Sequence, residues 1–294
     1  MTPQTIDVTI PVVFSCLSPL HHGAGVSGNT QLQRVQELVD ENGRLVTVPF
    51  VSGNSLRHKI RVAAAQHLLE SIEVEFGTLR KEVVDLLFTG GALTTTGANI
   101  DLEAFRRLEN LWPASGLLGY AARSHIWSGT LFVDHTHLVC RENVWRIPEQ
   151  IKQRPDLREH LNKPAAQFID EDFGTRHDIA GTIHDRWINT DLWTGQDTTQ
   201  MIYDWQVVRA GARMWTTISL QAAPIGHVTA LMAAWYRMLD DESTMRLGAK
   251  GRQGYGHVRV DADLSTLPEV DLEGYREQLS TNRVEIIRLL EEVA

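Results

Sequence analysis

The chain has 294 residues, of which 43% are hydrophobic and 22% are charged, and its formal net charge is −9. This composition is typical of a folded globular protein and excludes disordered and fibrous classes. The two cysteines, Cys16 and Cys140, are too few for a disulfide framework or a Cys-rich zinc module. No apolar run approaches the ~18 residues of a membrane span, and the first residues lack the Lys or Arg of a secretory signal. We therefore expect a soluble cytoplasmic protein that does not associate with a membrane.

Side-chain periodicity predicts the elements of the N-terminal part. Residues 6–16 alternate between apolar and smaller or polar side chains, which predicts a strand, and Pro11 suggests an edge or a bulge. Residues 21–29, HHGAGVSGN, form a predicted glycine-bearing loop. Residues 31–51 predict a hairpin that turns at Asn42-Gly43. A helix is predicted over residues 54–68, after cap-type residues.

The rest of the chain is predicted to alternate insertions with further strands and helices. A helical insertion is predicted over residues 76–128 and an irregular, thumb-like insertion over residues 141–204. The other predicted elements are strands at 130–139, 212–222 and 257–261, a helix at 226–239, a glycine-rich loop at 248–256, and a terminal helix or helix pair at 271–293.

Without the insertions, the predicted order is strand, helix, strand, strand, helix, strand. This is the order of the α+β ferredoxin-like fold, which is also the plan of the RNA-recognition fold. We therefore predict a palm with a modified RNA-recognition (RRM-like) fold. The palm comprises residues 1–75, 129–140 and 205–263. It is interrupted by the helical insertion at 76–128 and by the thumb-like insertion at 141–204. A C-terminal helix follows at 264–294.

The acidic residues are unevenly distributed. Three segments, here called the acid-free segments, contain no Asp or Glu: residues 8–36, 43–69 and 243–260. One interpretation is that acidic side chains avoid buried strands and helices. The other is that loops in the three segments form one basic face on an acidic protein, which would suit a polyanionic partner.

The segment VSGNSLRHKIR begins the first predicted helix. Its residues Ser52, Gly53, Asn54 and Ser55 lie where free backbone N–H groups and the positive end of the helix dipole favour an anion. Arg57 and Arg61 share one face of the helix, with no carboxylate nearby in the sequence. The alternative is a capped helix with a solvated basic face.

The glycine-rich loop GAKGRQGYG is the second candidate site. Lys250 and Arg252 could contact phosphates, while Tyr255 could stack on a base. The alternative is a plain turn between a helix and a strand. No Gly-Lys-Ser/Thr follows, so the loop is not a P-loop.

Histidines offer a third set of candidates. His21 and His22 could act as a general acid or base or as ligands, but no carboxylate lies in residues 8–36 to orient them, so a structural role is favoured. His135 and His137 share a strand face, yet no local carboxylate or thiolate pair supports a metal. We predict no metal and no cofactor.

Aromatic residues are concentrated in residues 187–205, an otherwise polar region. They are either core residues or the apolar tip of an exposed finger, which would wedge between bases or dock on a neighbouring subunit.

Three motifs occur in a fixed order: PLHHGAG, VPFVSGNSLRHKIR and GRQGYG. Together they resemble the RAMP superfamily of CRISPR-associated proteins, which share a modified RNA-recognition fold. The second motif is similar to the I-P-G-S-S-L-K-G-x-x-R segment of backbone subunits that polymerise along CRISPR RNA. Its Ser-Gly-Asn-Ser-x-Arg-His form looks closest to the backbone subunit of type IV systems.

The resemblance implies an RNA-binding site. It places against the guide-RNA backbone the residues Ser52, Gly53, Asn54, Ser55, Arg57, His58, Arg61, Lys250, Gly251 and Arg252. The predicted RNA-binding set also includes His21, His22, Asn29, Gln253 and Tyr255. The family's thumb, which displaces bases, would fall within residues 184–208, with Trp187, Trp193, Met201 and Tyr203 as candidates.

The resemblance also implies the protein's function and partners. RNA-cleaving relatives carry a catalytic Asp in the loop after the first strand, whereas Asn29 occupies about that place here, so we expect no enzyme activity. The expected protein is a backbone subunit in the prokaryotic cytoplasm. Its partners would be guide RNA, further copies of itself, other CRISPR effector subunits and a complementary target nucleic acid. The alternatives are an endoribonuclease using His21 or His22, and a scaffold that binds only proteins.

Overall fold

The structure, a computed structural model, describes residues 5–93, 101–176, 185–187 and 201–294. Its strands within those ranges are β1 (Thr5–Cys16), β2 (Gly23–Ser27), β3 (Thr30–Gln33), β4 (Val35–Val39), β5 (Leu45–Val51), β6 (Tyr120–Ala122), β7 (His125–Trp127), β8 (Leu131–Val133), β9 (Thr136–Leu138), β10 (Ile169–Arg176), β11 (Met201–Val208), β12 (Arg213–Pro224), β13 (Thr244–Arg246) and β14 (His257–Ala262).

Helices surround these strands. They are α1 (Gly53–Ser71), α2 (Lys81–Thr89), α3 (Leu102–Leu111), α4 (Ala114–Leu118), α5 (Glu149–Lys152), α6 (Arg158–Leu161), α7 (Ile225–Met238), α8 (Leu272–Thr281) and α9 (Arg283–Val293). Across the described ranges, none of the helices is long and apolar enough to span a membrane.

The main sheet has the predicted ferredoxin-like topology. Its strand order is β13-β14-β1-β12-β9-β5-β4, with β8 also pairing with β12, and every pairing is antiparallel. The six elements of the predicted plan are β1, α1, β8–β9, β12, α7 and β14. Because β14 and β12 flank β1 and β9 follows β12, the spatial order is that of the RNA-recognition fold, and the predicted fold class is confirmed.

Alternation within β1 gives the sheet two buried faces. Val12 and Phe14 point into the main core under α1 and α7, whereas Val13 points to the opposite face. That second face packs on the segment between Arg141 and Leu161 through a cluster of Val13, Val139, Ile147, Ile151, Leu157 and Trp215. In simple RNA-recognition domains this face of the sheet stacks bases. Here protein covers that face around Val13 and Trp215, so bases cannot stack on this part of the sheet.

Pro11 lies at a place where β1 has an open edge on one side. Pro11 lies in the central strand β1, and the irregular register with β12 occurs between Ile6 and Val8. Strand β14 pairs with β1 only from Val12 to Cys16. Pro11 therefore removes no hydrogen-bond donor from the β14 ladder, which is why a central strand tolerates it.

A second sheet has the strand order β10-β11-β3-β2. Strands β10 and β11 form an antiparallel pair, from Ile169 opposite Val208 to Arg176 opposite Met201. The predicted loop 21–29 contains β2, and residues 30–33 leave the predicted hairpin to form β3. Most of β2 is exposed, so backbone pairing holds it in place without the burial pattern that predicts a strand.

Candidate functional site

Two adjacent histidines join the three acid-free segments. The carbonyl oxygen of His21 accepts a hydrogen bond of 2.7 Å from the N–H of Ala249 in the glycine-rich loop. The Nε2 atom of His22 accepts one of 3.2 Å from the N–H of Ser52, just before α1. These bonds bring together residues 21–22, the start of α1 and residues 248–256, a surface here called the convergent face.

Imidazole nitrogens accept hydrogen bonds from the first backbone N–H groups at the start of α1. Ser52 is extended and makes no side-chain cap, and its N–H donates to His22. The N–H of Gly53 donates to Nδ1 of His135 over 3.1 Å. A Cβ atom on Gly53 would lie 2.2 Å from the carbonyl oxygen of Val133, so only glycine fits. Two donors predicted for an anion are therefore used within the protein.

Both histidines of the pair are held in the neutral form. Burial, with Arg34, His21 and His135 nearby, lowers the pKa of His22 to about 4, which leaves Nε2 free to accept a hydrogen bond. Burial also lowers the pKa of His21, and Lys250 lowers it further. The Nδ1–H of His21 donates to the carbonyl oxygen of Gln206 over 2.7 Å. The lone pair of the neutral His22 ring is therefore already used, whereas the His21 ring is fixed by its donor and is buried at 3% exposure.

Arg57 and Arg61 point toward the helical insertion. The Nη2 atom of Arg57 donates to the carbonyl oxygen of Leu118. The Nη2 atom of Arg61 donates to the same oxygen over 3.1 Å and to the carbonyl oxygen of Gly119 over 2.8 Å. Burial lowers the pKa of both guanidinium groups, that of Arg61 to about 10. The alternative of a solvated basic face therefore does not apply to these two arginines, because both donate to carbonyl groups at the end of α4.

Other polar side chains of α1 remain accessible. Asn54 and His58 are exposed, whereas Ser55 and Lys59 are half-buried. Within the described part of the chain, Lys59 has no ion-pair partner. The sequence analysis did not select Lys59, although it shares an acid-free segment with the residues that were selected.

Two glycines bring the glycine-rich loop close to neighbouring backbone. A Cβ atom on Gly248 would lie 2.5 Å from the carbonyl oxygen of His21, and one on Gly256 would lie 1.9 Å from that of Leu247. Both glycines have positive φ, as does Lys250 at +57°. Gly251 does not, and a Cβ there would meet only Arg246 at 3.7 Å. Arg252 and Gln253 are exposed between these fixed points.

Lys250 and Tyr255 attach the loop to the β10–β11 pair. The Nζ atom of Lys250 lies 4.2 Å from the centroid of the Trp205 ring, a cation–π contact. The hydroxyl of Tyr255 donates to Oδ2 of Asp172 over 2.5 Å, and its ring meets Trp205 edge-on at 5.6 Å. Burial and this carboxylate raise the pKa of Tyr255 to about 12. Both residues predicted to contact RNA therefore make contacts within the protein.

The thumb candidates lie on or beyond the β10–β11 pair. Tyr203 is on β11 with its ring 5.5 Å from that of Trp205, and β11 begins at Met201. Trp187, in a short 3-10 turn, is 83% exposed. Trp193 lies outside the described residues. Asn29 is exposed after β2, and its carbonyl oxygen accepts a hydrogen bond from the N–H of Asp204.

The remaining candidate ligands are used structurally. The ring of His135 lies 4.8 Å from that of Phe50 and 6.2 Å from that of His137. The described residues contain no group of three or more His, Cys, Asp or Glu side chains that could hold a metal ion. Burial raises the pKa of the Cys16 and Cys140 thiols to about 12.

Arg34 is a site residue that the sequence analysis missed. Its side chain is exposed and close enough to lower the pKa of His22. It is the sole basic residue in the first acid-free segment, and that signal could have identified it. Gln206 and Trp205 contact residues that are distant in the sequence, so no local sequence pattern could have identified them as part of the site.

Comparison with known proteins rests on structure. No protein-family model matches the sequence, and no curated protein does. A solved structure described as "Type IV-B CRISPR Complex" contains a chain that is similar to this one, with a TM-score of 0.57 and 17% sequence identity. The match covers 90% of this chain and 96% of that chain. This chain therefore shares its fold with a chain of a type IV-B CRISPR complex. At this identity the likeness concerns the fold.

Proposed function

We propose that this chain is a non-catalytic, RNA-binding backbone subunit of a type IV CRISPR ribonucleoprotein. Copies would assemble head to tail along one guide RNA. The observation that carries the proposal is the convergence, through His21 and His22, of three segments that contain no acidic residue. The shared fold with a chain of a type IV-B CRISPR complex supports it.

The accessible polar groups of the convergent face, together with Arg34, would contact the RNA backbone. Exposed Arg34 and Arg252, with half-buried Lys59, would supply positive charge, and among described residues none of the three has an ion-pair partner. Asn54, His58 and Gln253 add exposed hydrogen-bonding groups. Contacts of this kind hold phosphates without reading the bases, which stay free to pair with a target. Four further residues would not contact RNA themselves but would position α1 and the glycine-rich loop. They are Arg57, Arg61, Lys250 and Tyr255.

The proposed absence of catalysis has support in the hydrogen bonds of the histidines. A general base needs an unshared lone pair and a pKa near the working pH. His22 uses its lone pair on Nε2 to accept from Ser52 and has a pKa of about 4. The His21 ring is only 3% exposed, which hinders contact with an RNA hydroxyl. These features favour a binding role over the endoribonuclease alternative.

The assembly would use a heterologous contact that repeats along the RNA. Such an interface does not close on itself and produces a filament. Further effector subunits and a complementary target nucleic acid are the other proposed partners, and the proposed location is the prokaryotic cytoplasm. The acidic remainder of the surface would limit stray RNA binding.

Removal of the unpaired cations tests this function. We expect the triple variant Arg34→Ala, Lys59→Ala, Arg252→Ala to purify with much less RNA than the wild type, seen as a lower A260/A280 ratio. The matched control is Arg106→Ala with Arg283→Ala, two exposed arginines on α3 and α9 that have no ion-pair partner among described residues. Equal RNA content in all three proteins would overturn the proposed site. Wild-type protein that is free of RNA would favour the protein-only scaffold.

A further inference from the structure

An apolar groove lies at the opposite end of α1 from the convergent face. It has a volume of about 580 Å³ and is bounded by the last turns of α1, the connection that follows and α2. Its apolar lining consists of Leu69, Val74, Phe76, Leu79, Val84 and Phe88. Because α1 has 19 residues, its two ends are about 28 Å apart. The groove is therefore separate from the proposed RNA site.

Phe76 is the most unusual residue of this groove. Its side chain is fully exposed at 107%, and Val84 beside it is also exposed. An exposed aromatic residue next to an apolar depression is typical of a protein interaction site, because water contact with both is unfavourable.

Carboxylates surround the apolar lining. Glu73 and Glu75 are exposed at the rim, and over the described residues neither has an ion-pair partner. Glu70 is also there, paired with Arg237. Glu73 has a φ of +49°, a conformation that favours glycine, so the end of α1 keeps a carboxylate at a strained position. The rim repels RNA and favours a cationic partner.

The walls of the groove restrict how a partner could bind. All lining residues lie between Gln66 and Phe88, on α1, α2 and the connection between them. No strand edge is available there for β-addition, whereas two helices that flank a groove suit an incoming helix. A second copy of this chain is a poor occupant through its exposed patch of Val35, Val39 and Leu45, because Glu37 and Glu41 accompany that patch and would face the acidic rim.

From these features we infer that the α1–α2 groove binds an amphipathic helix of another protein, with Lys or Arg beside its apolar stripe. The incoming aliphatic side chains cover Phe76 and Val84, and the cations pair with Glu73 and Glu75. The inference does not depend on the proposed RNA binding.

A pair of synthetic helical peptides tests the inference. Both are about 18 residues long with Leu at i, i+3, i+4 and i+7, and the other positions are mainly Lys in one and Glu in the other. We expect the Leu/Lys peptide to bind the full-length protein in a fluorescence anisotropy titration, and the Leu/Glu peptide not to bind. Phe76→Ser with Val84→Ser should weaken binding at least tenfold, and Glu73→Gln with Glu75→Gln several-fold.

The matched control is Val39→Ser with Leu45→Ser, which removes an exposed apolar patch elsewhere and should leave binding unchanged. Equal affinity of the peptide for the groove variants and this control would overturn the inference. The inference would also be overturned if RNA-free wild-type protein self-associates and the Phe76→Ser, Val84→Ser variant does not. The groove would then bind a second copy of this chain. Co-purifying RNA is measured in every variant, so a failure of the proposed RNA site is seen separately.

Discussion

Arg57 and Arg61 are side chains of α1 to which we assign a structural role and no direct contact with RNA. Both donate to carbonyl groups at the end of α4, where the last carbonyl groups of a helix have no partner within the helix. We expect Arg57→Ala and Arg61→Ala each to lower the free energy of unfolding by about 1.5–3 kcal/mol, the usual range for a lost charged hydrogen bond. Urea denaturation measures this change. If stability is unaffected and RNA binding falls instead, these arginines contact phosphate directly.

Arg252 should give the opposite result. Its side chain is exposed between the fixed ends of the glycine-rich loop, and no ion pair holds it within the described residues. We expect Arg252→Ala to weaken RNA binding for all sequences and to reduce the slope of log K against log salt by about 0.7, with an unchanged melting temperature. Unchanged affinity and slope would remove Arg252 from the site.

The buried imidazoles predict how stability depends on pH. Burial lowers the pKa of His22 to about 4 and that of His137 to about 3. An imidazole in the unfolded chain titrates near 6.5, so between these values the unfolded state binds more protons. Stability should therefore be fully present above about pH 6.5 and fall as the pH drops toward 4. Denaturation at several pH values measures the free energy of unfolding. The His22→Gln variant should lose less of this free energy than the wild type as the pH falls. A wild-type profile that is level over this range would contradict the neutral assignment.

The conformation of the glycine-rich loop depends on two of its glycines. Gly248 and Gly256 have positive φ and lie against the backbone of His21 and Leu247. Alanine at either should cost at least the ~1–2 kcal/mol of a left-handed residue and lower the melting temperature. Gly251→Ala is the control, because its Cβ has room and its φ is not positive. Equal melting temperatures for the three variants would show that the loop does not need this geometry.

Much of the core could be predicted because its signals are local. Strands β1 and β12 alternate over long stretches, α7 has a continuous apolar stripe, and the order of six elements then indicated the ferredoxin-like plan. Strand β2 could not be predicted, because it is exposed and is held by backbone pairing with β3.

The candidate site was only partly predictable, for a related reason. The three acid-free segments were visible in the sequence, and hydrogen bonds that His21 and His22 accept bring them together. The roles of individual side chains depend on contacts between distant residues. Arg61 reaches Gly119, and Tyr255 reaches Asp172, partners that sequence spacing cannot indicate.

For the molecule as a whole, the proposal makes RNA the component that orders the assembly. In an acidic chain, a face built from three segments without Asp or Glu is where RNA binding would gain the most electrostatic energy. Under the proposed function, neighbouring copies would be held in register along one strand, and the α1–α2 groove would stay available for another protein.

Electron microscopy of the purified protein before and after ribonuclease treatment tests this account most directly. We predict elongated assemblies that contain RNA, lie in register along it, and shorten or disperse once the RNA is digested. Full-length filaments from rigorously RNA-free protein would contradict the account, because protein contacts alone would then organise the assembly.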